Sequence, residues 1–217
     1  IAYKNGIDCA MRVTIPIAGT YMKIPAGMRL TWKSEASNNP GVKSPTQKVY
    51  FPGGASGVTL GHGYDMKLKS PDGIARDLRQ CGISDDKIKI FCRASGLHGV
   101  TAREFVRKNR DISITPEQEW KLFEVSYDSA ARDTRRIYEN VFRHSKNKGP
   151  QWSCLDYNIR GMLIDMRFRG DNTPRTRTVL ADAIRENNIA GITRTIYTSK
   201  AFNNVPQDRQ RKRLYYG

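Results

Sequence analysis

Cysteine and histidine are scarce in this chain. Cys9, Cys81, Cys92 and Cys154 stand far apart, with no Cys-x-x-Cys pair, and only His62, His98 and His144 accompany them. That spacing excludes the paired-ligand pattern of a zinc site, and no cofactor is called for. Cys81 with Cys92 would close a short loop within one helical hairpin, and free thiols fit the sequence equally well. Long apolar runs are lacking too. No stretch approaches the roughly 20 apolar residues of a membrane span, so the expectation is a soluble chain without a transmembrane segment. The opening Ile1-Ala2-Tyr3-Lys4 has neither Met nor a continuous apolar core, so no signal peptide is visible, which suits a piece of a longer polypeptide.

Acidic residues are in deficit. Lys and Arg total 37 against 21 Asp and Glu, a formal charge of +16, so the surface attracts polyanions in a salt-dependent way. Nucleic acid, lipopolysaccharide, teichoic acid and anionic membrane all satisfy that sign. Zinc-finger spacing, a glycine-aromatic RNA-binding signature and a long Lys/Arg block are all missing, which argues against a specific nucleic-acid partner.

At 217 residues the chain suits one main core with a short appendage. Val13 to Gly19 reads as an extended segment broken by Pro16, part of an N-terminal extension over 1–27 ahead of a main domain over 28–217. Residues 37–64 are rich in Gly, Pro, Ser and Asn. Two β-favouring runs, Lys48-Val49-Tyr50-Phe51 and Gly57-Val58-Thr59-Leu60, flank Pro52-Gly53-Gly54-Ala55-Ser56 and predict a hairpin. From Ser70 the pattern turns helical. Pro71-Asp72 opens one helix that stops near Gly82, Ser84-Asp85-Asp86 opens a second, and a third starts near Thr101.

Thr115-Pro116-Glu117-Gln118 carries a capping box, with Pro suited to the first turn. In the helix it opens, Trp120, Phe123, Tyr127, Ala130, Thr134, Ile137 and Val141 recur at steps of three and four and predict one buried face. The next helix, from a Ser153 cap through Leu155, Ile159, Met162, Leu163, Met166 and Phe168, is apolar around much of its circumference and should be the buried central helix. Shorter helices follow over 177–187, 188–199 and 206–215. The class is therefore α+β, a small β-hairpin lobe followed by a larger, mainly helical lobe, and a cleft between lobes is the expected ligand site.

Two stretches carry a resemblance: Thr31-Trp32-Lys33-Ser34-Glu35-Ala36, and Gly57-Val58-Thr59-Leu60-Gly61-His62-Gly63-Tyr64-Asp65. They resemble the phage-type lysozymes, in which a helix ends in an acid before a hairpin holding a Thr-Ile-Gly-x-Gly-His segment. Ile114 to Phe123 is similar to the family's Thr-capped helix, Leu155 to Gly170 to its buried central helix, and Asn203 to Arg213 to the Pro-x-x-Arg segment of its last helix. The common phage pattern has a second acid on the hairpin strand, but here no acid occurs between Glu35 and Asp65. The pesticin-like muramidases fit better, since they keep the Glu and Thr and take their Asp from six residues after the Thr, where Asp65 stands.

The resemblance implies a lysozyme-like fold and a muramidase that cuts the β-1,4 bond between N-acetylmuramic acid and N-acetylglucosamine. Glu35 would be the acid, with Asp65 and Thr59 handling the water. Glycoside hydrolysis asks for those types: a protonated carboxyl for the leaving oxygen and, on the opposite face, a carboxylate that activates water. With water between them the outcome is inversion, at a carboxyl separation of about 6.5 to 9.5 Å. Glu35 must then hold its proton, and Trp32 is an apolar neighbour available to help. Taken singly, Glu35 is a solvated helix-end acid, Asp65 a turn residue and Thr59 a strand residue; their joint placement is what points to chemistry. Tyr64 is a candidate sugar contact, with core packing the plainer alternative. His62 reads as structural.

The family also implies a peptidoglycan glycan strand as substrate, an anionic cell envelope as adsorbing surface, and delivery to the periplasm or cell wall of a target bacterium. An antibacterial toxin, effector or endolysin follows, with an immunity protein as a possible partner. The alternatives are a lytic transglycosylase of the same fold, which works with a single Glu, and a non-catalytic polyanion or cell-wall binding module.

Overall fold

The computed structural model describes residues 3–4, 7–8, 12–17, 20–36, 46–144 and 148–216. Cys9, and the first part of the Gly/Pro/Ser-rich stretch at 37–45, lie outside them. The class is α+β: short two-stranded sheets and a majority of helix. β1 (Tyr3–Lys4) pairs antiparallel with β2 (Ile7–Asp8), and β3 (Arg12–Ile17) pairs with β4 (Thr20–Pro25). β3 runs through Pro16 instead of breaking there. In a two-stranded sheet each strand is an edge, so a residue without an N–H is tolerated. β4 leads directly into α1 (Ala26–Ala36), whose last turn carries Glu35.

By internal contacts the chain divides into two compact units. One comprises 16–20 and 35–126, the other 1–15, 21–34 and 127–217. The hairpin therefore belongs with the helices that follow it, not with a separate β lobe. In its unit, β5 (Thr59–Leu60) pairs antiparallel with β6 (Tyr64–Asp65). Then come α2 (Pro71–Gln80), α3 (Asp85–Cys92), α4 (Gly99–Lys108) and the start of α5 (Pro116–Tyr138). Ser70 Oγ accepts from Gly73 N at 3.1 Å to open α2. Gly82 N to Arg79 O and Ile83 N to Leu78 O, at 2.9 and 3.2 Å, close it in a Schellman motif. The core of this unit joins Val58, Leu60, Tyr64 and Met66 to Ile74, Leu78, Phe91 and Leu122. The Lys48–Phe51 run does not form a full strand. It contributes isolated bridges, Lys48 to Ser113 and Tyr50 to Thr59, while Thr59–Leu60 takes its strand partner, Tyr64–Asp65, on its other side.

The Thr115 box is formed: Gln118 N donates to Thr115 Oγ1 at 3.2 Å, and Thr115 N to Gln118 Oε1 at 2.9 Å. The buried face of α5 and its extension departs from the predicted stripe. Trp120, Phe123, Tyr127 and Thr134 are buried, but Ala131, Tyr138 and Phe142 replace Ala130, Ile137 and Val141. A strict alternation of three and four drifts about 20° per heptad around an α-helix, so over this length the buried seam moves on by one residue. α5 ends in a π-helical turn, Glu139–Arg143.

In the other unit, α6 (Tyr157–Arg169) buries eight consecutive residues, Ile159 to Met166, as expected of a central helix. Its cap is Asp156, which accepts from Asn158 N at 2.7 Å, not Ser153; Trp152–Cys154 forms a separate 3-10 turn. α7 (Pro174–Arg185), α8 (Ile189–Thr198) and α9 (Gln207–Tyr216) complete the unit. Asp165 of α6 accepts from Arg209 Nη2 at 2.7 Å and from Arg213 Nε at 2.8 Å. Arg213 Nη2 also donates to Asp171 at 2.8 Å. The Arg of the Pro206-x-x-Arg209 segment thus locks α9 onto α6 through a fully buried charge cluster. No helix among the described residues is long and apolar enough to cross a membrane.

Candidate functional site

The hairpin is built to hold three side chains in a row. Thr59 and Asp65 are register partners across β5 and β6, and Tyr50 bridges Thr59 from the other side, with Tyr50 N to Thr59 O at 2.9 Å and the reverse bond at 2.8 Å. Directly opposed residues of antiparallel strands share a face, so Tyr50, Thr59 and Asp65 stand side by side. The turn between the strands, Gly61-His62-Gly63, reverses through φ values of +60° and +84° at the glycines, where a side chain would be strained.

Gly57 ties the row together. Its N–H donates to both Asp65 oxygens, at 3.0 and 3.2 Å, and its carbonyl accepts from Thr59 Oγ1 at 3.3 Å. Asp65 Oδ1 also accepts from Lys67 N at 2.8 Å, the i to i+2 bond of an Asx turn. A Cβ on Gly57 would lie 2.5 Å from Lys67 Cβ, 2.6 Å from Leu97 O and 2.9 Å from Asp65 Oδ1. Only a glycine admits that approach.

Glu35 reaches this row electrostatically. The Tyr50 phenol is pushed well above its ordinary pKa, first by burial and then by the negative charges of Glu35, Glu119 and Asp65, with Glu35 the strongest of the three. Tyr50 therefore stays protonated, and its hydroxyl donates to Gly61 O at 3.1 Å. Glu35, Asp65 and Glu119 all lie in the unit that holds this phenol. Glu35 is half-buried, Thr59 is buried and Asp65 is half-buried.

Glu119 is the anchored member of the three. Burial would raise its carboxyl, but the donors His62, Thr46 and Gln47 outweigh burial and hold it below the usual value. His62 Nδ1 lies 2.9 Å from Glu119 Oε1, Thr46 Oγ1 donates to the same oxygen, and Gln47 Nε2 donates to Oε2 at 3.2 Å. The His62 ring also meets Phe123 edge-on, 6.2 Å between centroids. Through these contacts the tip of the hairpin is fixed to the first turns of α5. An ionised, fully committed Glu119 is a structural charge, not a proton donor.

Tyr64 lies in the core, 1 % exposed, and its hydroxyl donates to Asp77 Oδ2 at 2.8 Å. That is the packing alternative, away from a sugar-lining position. Tyr50, Gly57 and Glu119 are site members that the sequence reading left out. Glu119 had a visible signal: it stands four residues before Phe123 on the buried stripe of α5, where an acid needs a partner. Tyr50 and Gly57 had none beyond their places in a β run and a loop.

Among the described residues, no group of three or more His, Cys, Asp and Glu side chains is arranged to hold a metal ion. Cys81, Cys92 and Cys154 are free thiols. Cys81 Sγ donates to Asp77 O and Cys92 Sγ to Pro71 O, which accounts for both without a disulfide.

Residues 28–214 match the family model described as Domain of unknown function (DUF8812). The chain belongs to that family. Within the family-matched stretch lie most of α1 with Glu35, the whole hairpin with Thr59 and Asp65, and the later helices through most of α9. Among curated proteins nothing matches the chain.

Proposed function

We propose that this protein is a muramidase with a lysozyme-like fold, cleaving the bond between N-acetylmuramic acid and N-acetylglucosamine in peptidoglycan. The observation that carries the reading is the opposed pair Thr59 and Asp65 on the hairpin, in the unit that also holds Glu35 from the last turn of α1. Glu35 gives its proton to the leaving glycosidic oxygen as the C1–O bond breaks. Water adds its hydroxide to C1 and passes its proton to the Asp65 carboxylate, while the Thr59 hydroxyl holds the water in line. The backbone N–H groups of Gly57 and Lys67 fix the orientation of the Asp65 carboxylate on the hairpin face it shares with Thr59. A net charge of +16 favours adsorption to an anionic bacterial envelope, the periplasm or wall of a target cell. An antibacterial toxin, effector or endolysin, with a protective immunity protein where the producer needs one, is the setting this chemistry suits.

A second reading has an observation of its own. The Asp65 oxygens already take three bonds from Gly57 and Lys67 N–H, and Thr59 donates to Gly57 O, so both side chains serve the loop. This favours a lytic transglycosylase in which Glu35 works alone and the sugar closes on itself. Mass spectrometry of muropeptides released from purified sacculi separates the two. Reducing N-acetylmuramic ends are expected; anhydro ends, lighter by one water, would assign the reaction to the transglycosylase, and no release would leave a binding module.

A further inference from the structure

The basic segment Arg209-Gln210-Arg211-Lys212-Arg213 is divided by the fold. Arg209 and Arg213 turn inward onto Asp165 and Asp171, and their charge is spent on structure. Lys212 faces a surface pocket of about 150 Å³ lined by Arg29, Leu30, Lys33, Lys212 and Tyr215, all within one unit. Arg29 and Lys33 are four residues apart on α1, and Lys212 and Tyr215 three apart on α9, so each helix presents its pair on one face. Lys212 Nζ donates to the Lys33 carbonyl at 3.1 Å, which holds its ammonium at the pocket wall. Asp208, half in solvent, lies 3.7 Å from Lys212 Nζ. Leu30 is buried in the floor, and Tyr215 at the rim is 91 % exposed.

We propose that this pocket binds a phosphodiester group of a sugar- or polyol-phosphate polymer. The guanidinium of Arg29 offers a fork of N–H donors that matches two phosphate oxygens, and the ammonium groups of Lys33 and Lys212 add point charges around it. The Leu30 floor takes the carbon chain of the neighbouring unit, and the Tyr215 ring gives a sugar or polyol a flat face to lie on. A nucleic acid is the less suitable polyanion, because a platform for successive bases needs several aromatics along a basic groove and this pocket has one. The site is independent of the bond cut near Glu35, so its test stands or falls apart from the muramidase reading.

The test is calorimetric titration of the full chain with poly(glycerol phosphate), alongside an oligothymidylate of equal phosphate number. Three variants are compared: Lys33→Gln with Lys212→Gln, Tyr215→Ser, and a charge-matched control, Arg76→Gln with Lys89→Gln, whose cations are exposed elsewhere. The pocket pair is expected to weaken polymer binding about tenfold or more, from two lost charged contacts, and the control less than twofold. Tyr215→Ser, at a side chain held almost wholly in solvent, leaves folding intact and is expected to weaken binding about threefold. Equal losses in pocket pair and control would overturn the proposal in favour of diffuse surface charge. Tighter, pocket-dependent binding of the oligothymidylate would overturn it in favour of nucleic acid.

Discussion

Gly57→Ala is the sharpest perturbation of the hairpin. A methyl group there would meet Lys67 Cβ at 2.5 Å and Leu97 O at 2.6 Å, neither of them the loose end of a side chain, so backbone must move. Such overpacking costs about 1 to 3 kcal/mol, and loosening the bonds from Gly57 to Asp65 and Thr59 adds about 1 kcal/mol. Against this, Ala at a conformationally permitted position restricts the unfolded chain and returns about 0.4 to 1 kcal/mol. The contact cost wins, leaving a net loss of about 1 to 3.5 kcal/mol, or roughly 2 to 14 °C in the melting midpoint of a chain this size. Because the same atoms hold Asp65 and Thr59, wall-lytic activity should fall further than unfolding explains, by about a hundredfold for a displacement near 1 Å. Thermal denaturation by circular dichroism and turbidity clearing of sacculi, both well below the variant's midpoint, read the two effects. A variant that melts with wild type and clears sacculi at the same rate would refute the argument that Gly57 fixes the site.

Asp165→Asn strips the counter-charge from two buried arginines and should cost about 3 to 5 kcal/mol, seen as a midpoint roughly 10 °C lower; a loss under 1 kcal/mol would mean that the cluster is not what holds α9 to α6. Asp165 and Glu119 are both held below their ordinary values, Asp165 against full burial by Arg213 and Arg209, and Glu119 against burial by His62, Thr46 and Gln47. Their stabilisation is therefore complete above about pH 5 and lost as pH falls below about 4 through the folded values, so urea midpoints should drop across that window and flatten above it. Burial pushes the Cys81 thiol up to about 12, whereas Cys154 is exposed, so peptide mapping after brief iodoacetamide treatment at pH 7.5 should find Cys154 modified and Cys81 intact until the chain unfolds.

Local chemistry made much of the fold legible in the sequence. The helix opening at Pro71-Asp72, the Thr115 cap, the Gly82 stop and the apolar circumference of α6 each depend on neighbours a few residues away. What escaped is partly a matter of local register and partly of contacts between residues far apart along the chain. The buried face of α5 shifted by one residue because a three-four alternation is not the α-helical period, and Asp156 displaced Ser153 as cap because a 3-10 turn intervenes. In the site, the opposition of Thr59 and Asp65 follows from a turn centred on Gly61-His62-Gly63, readable as glycine-rich but not as a register. The His62 to Glu119 contact and the Gly57 approach to Leu97 span long stretches of sequence, and no local pattern announces them.

The central claim is that the Glu35 carboxyl delivers the proton that breaks the glycosidic bond, and Glu35→Gln tests it most directly. The substitution keeps size and polarity, so sacculus binding and the melting midpoint should match wild type. The rate of release of reducing muropeptides should fall by a factor of about 10² to 10⁴, the usual contribution of a general acid. Undiminished release by a folded Glu35→Gln protein would contradict the account and remove Glu35 from the chemistry.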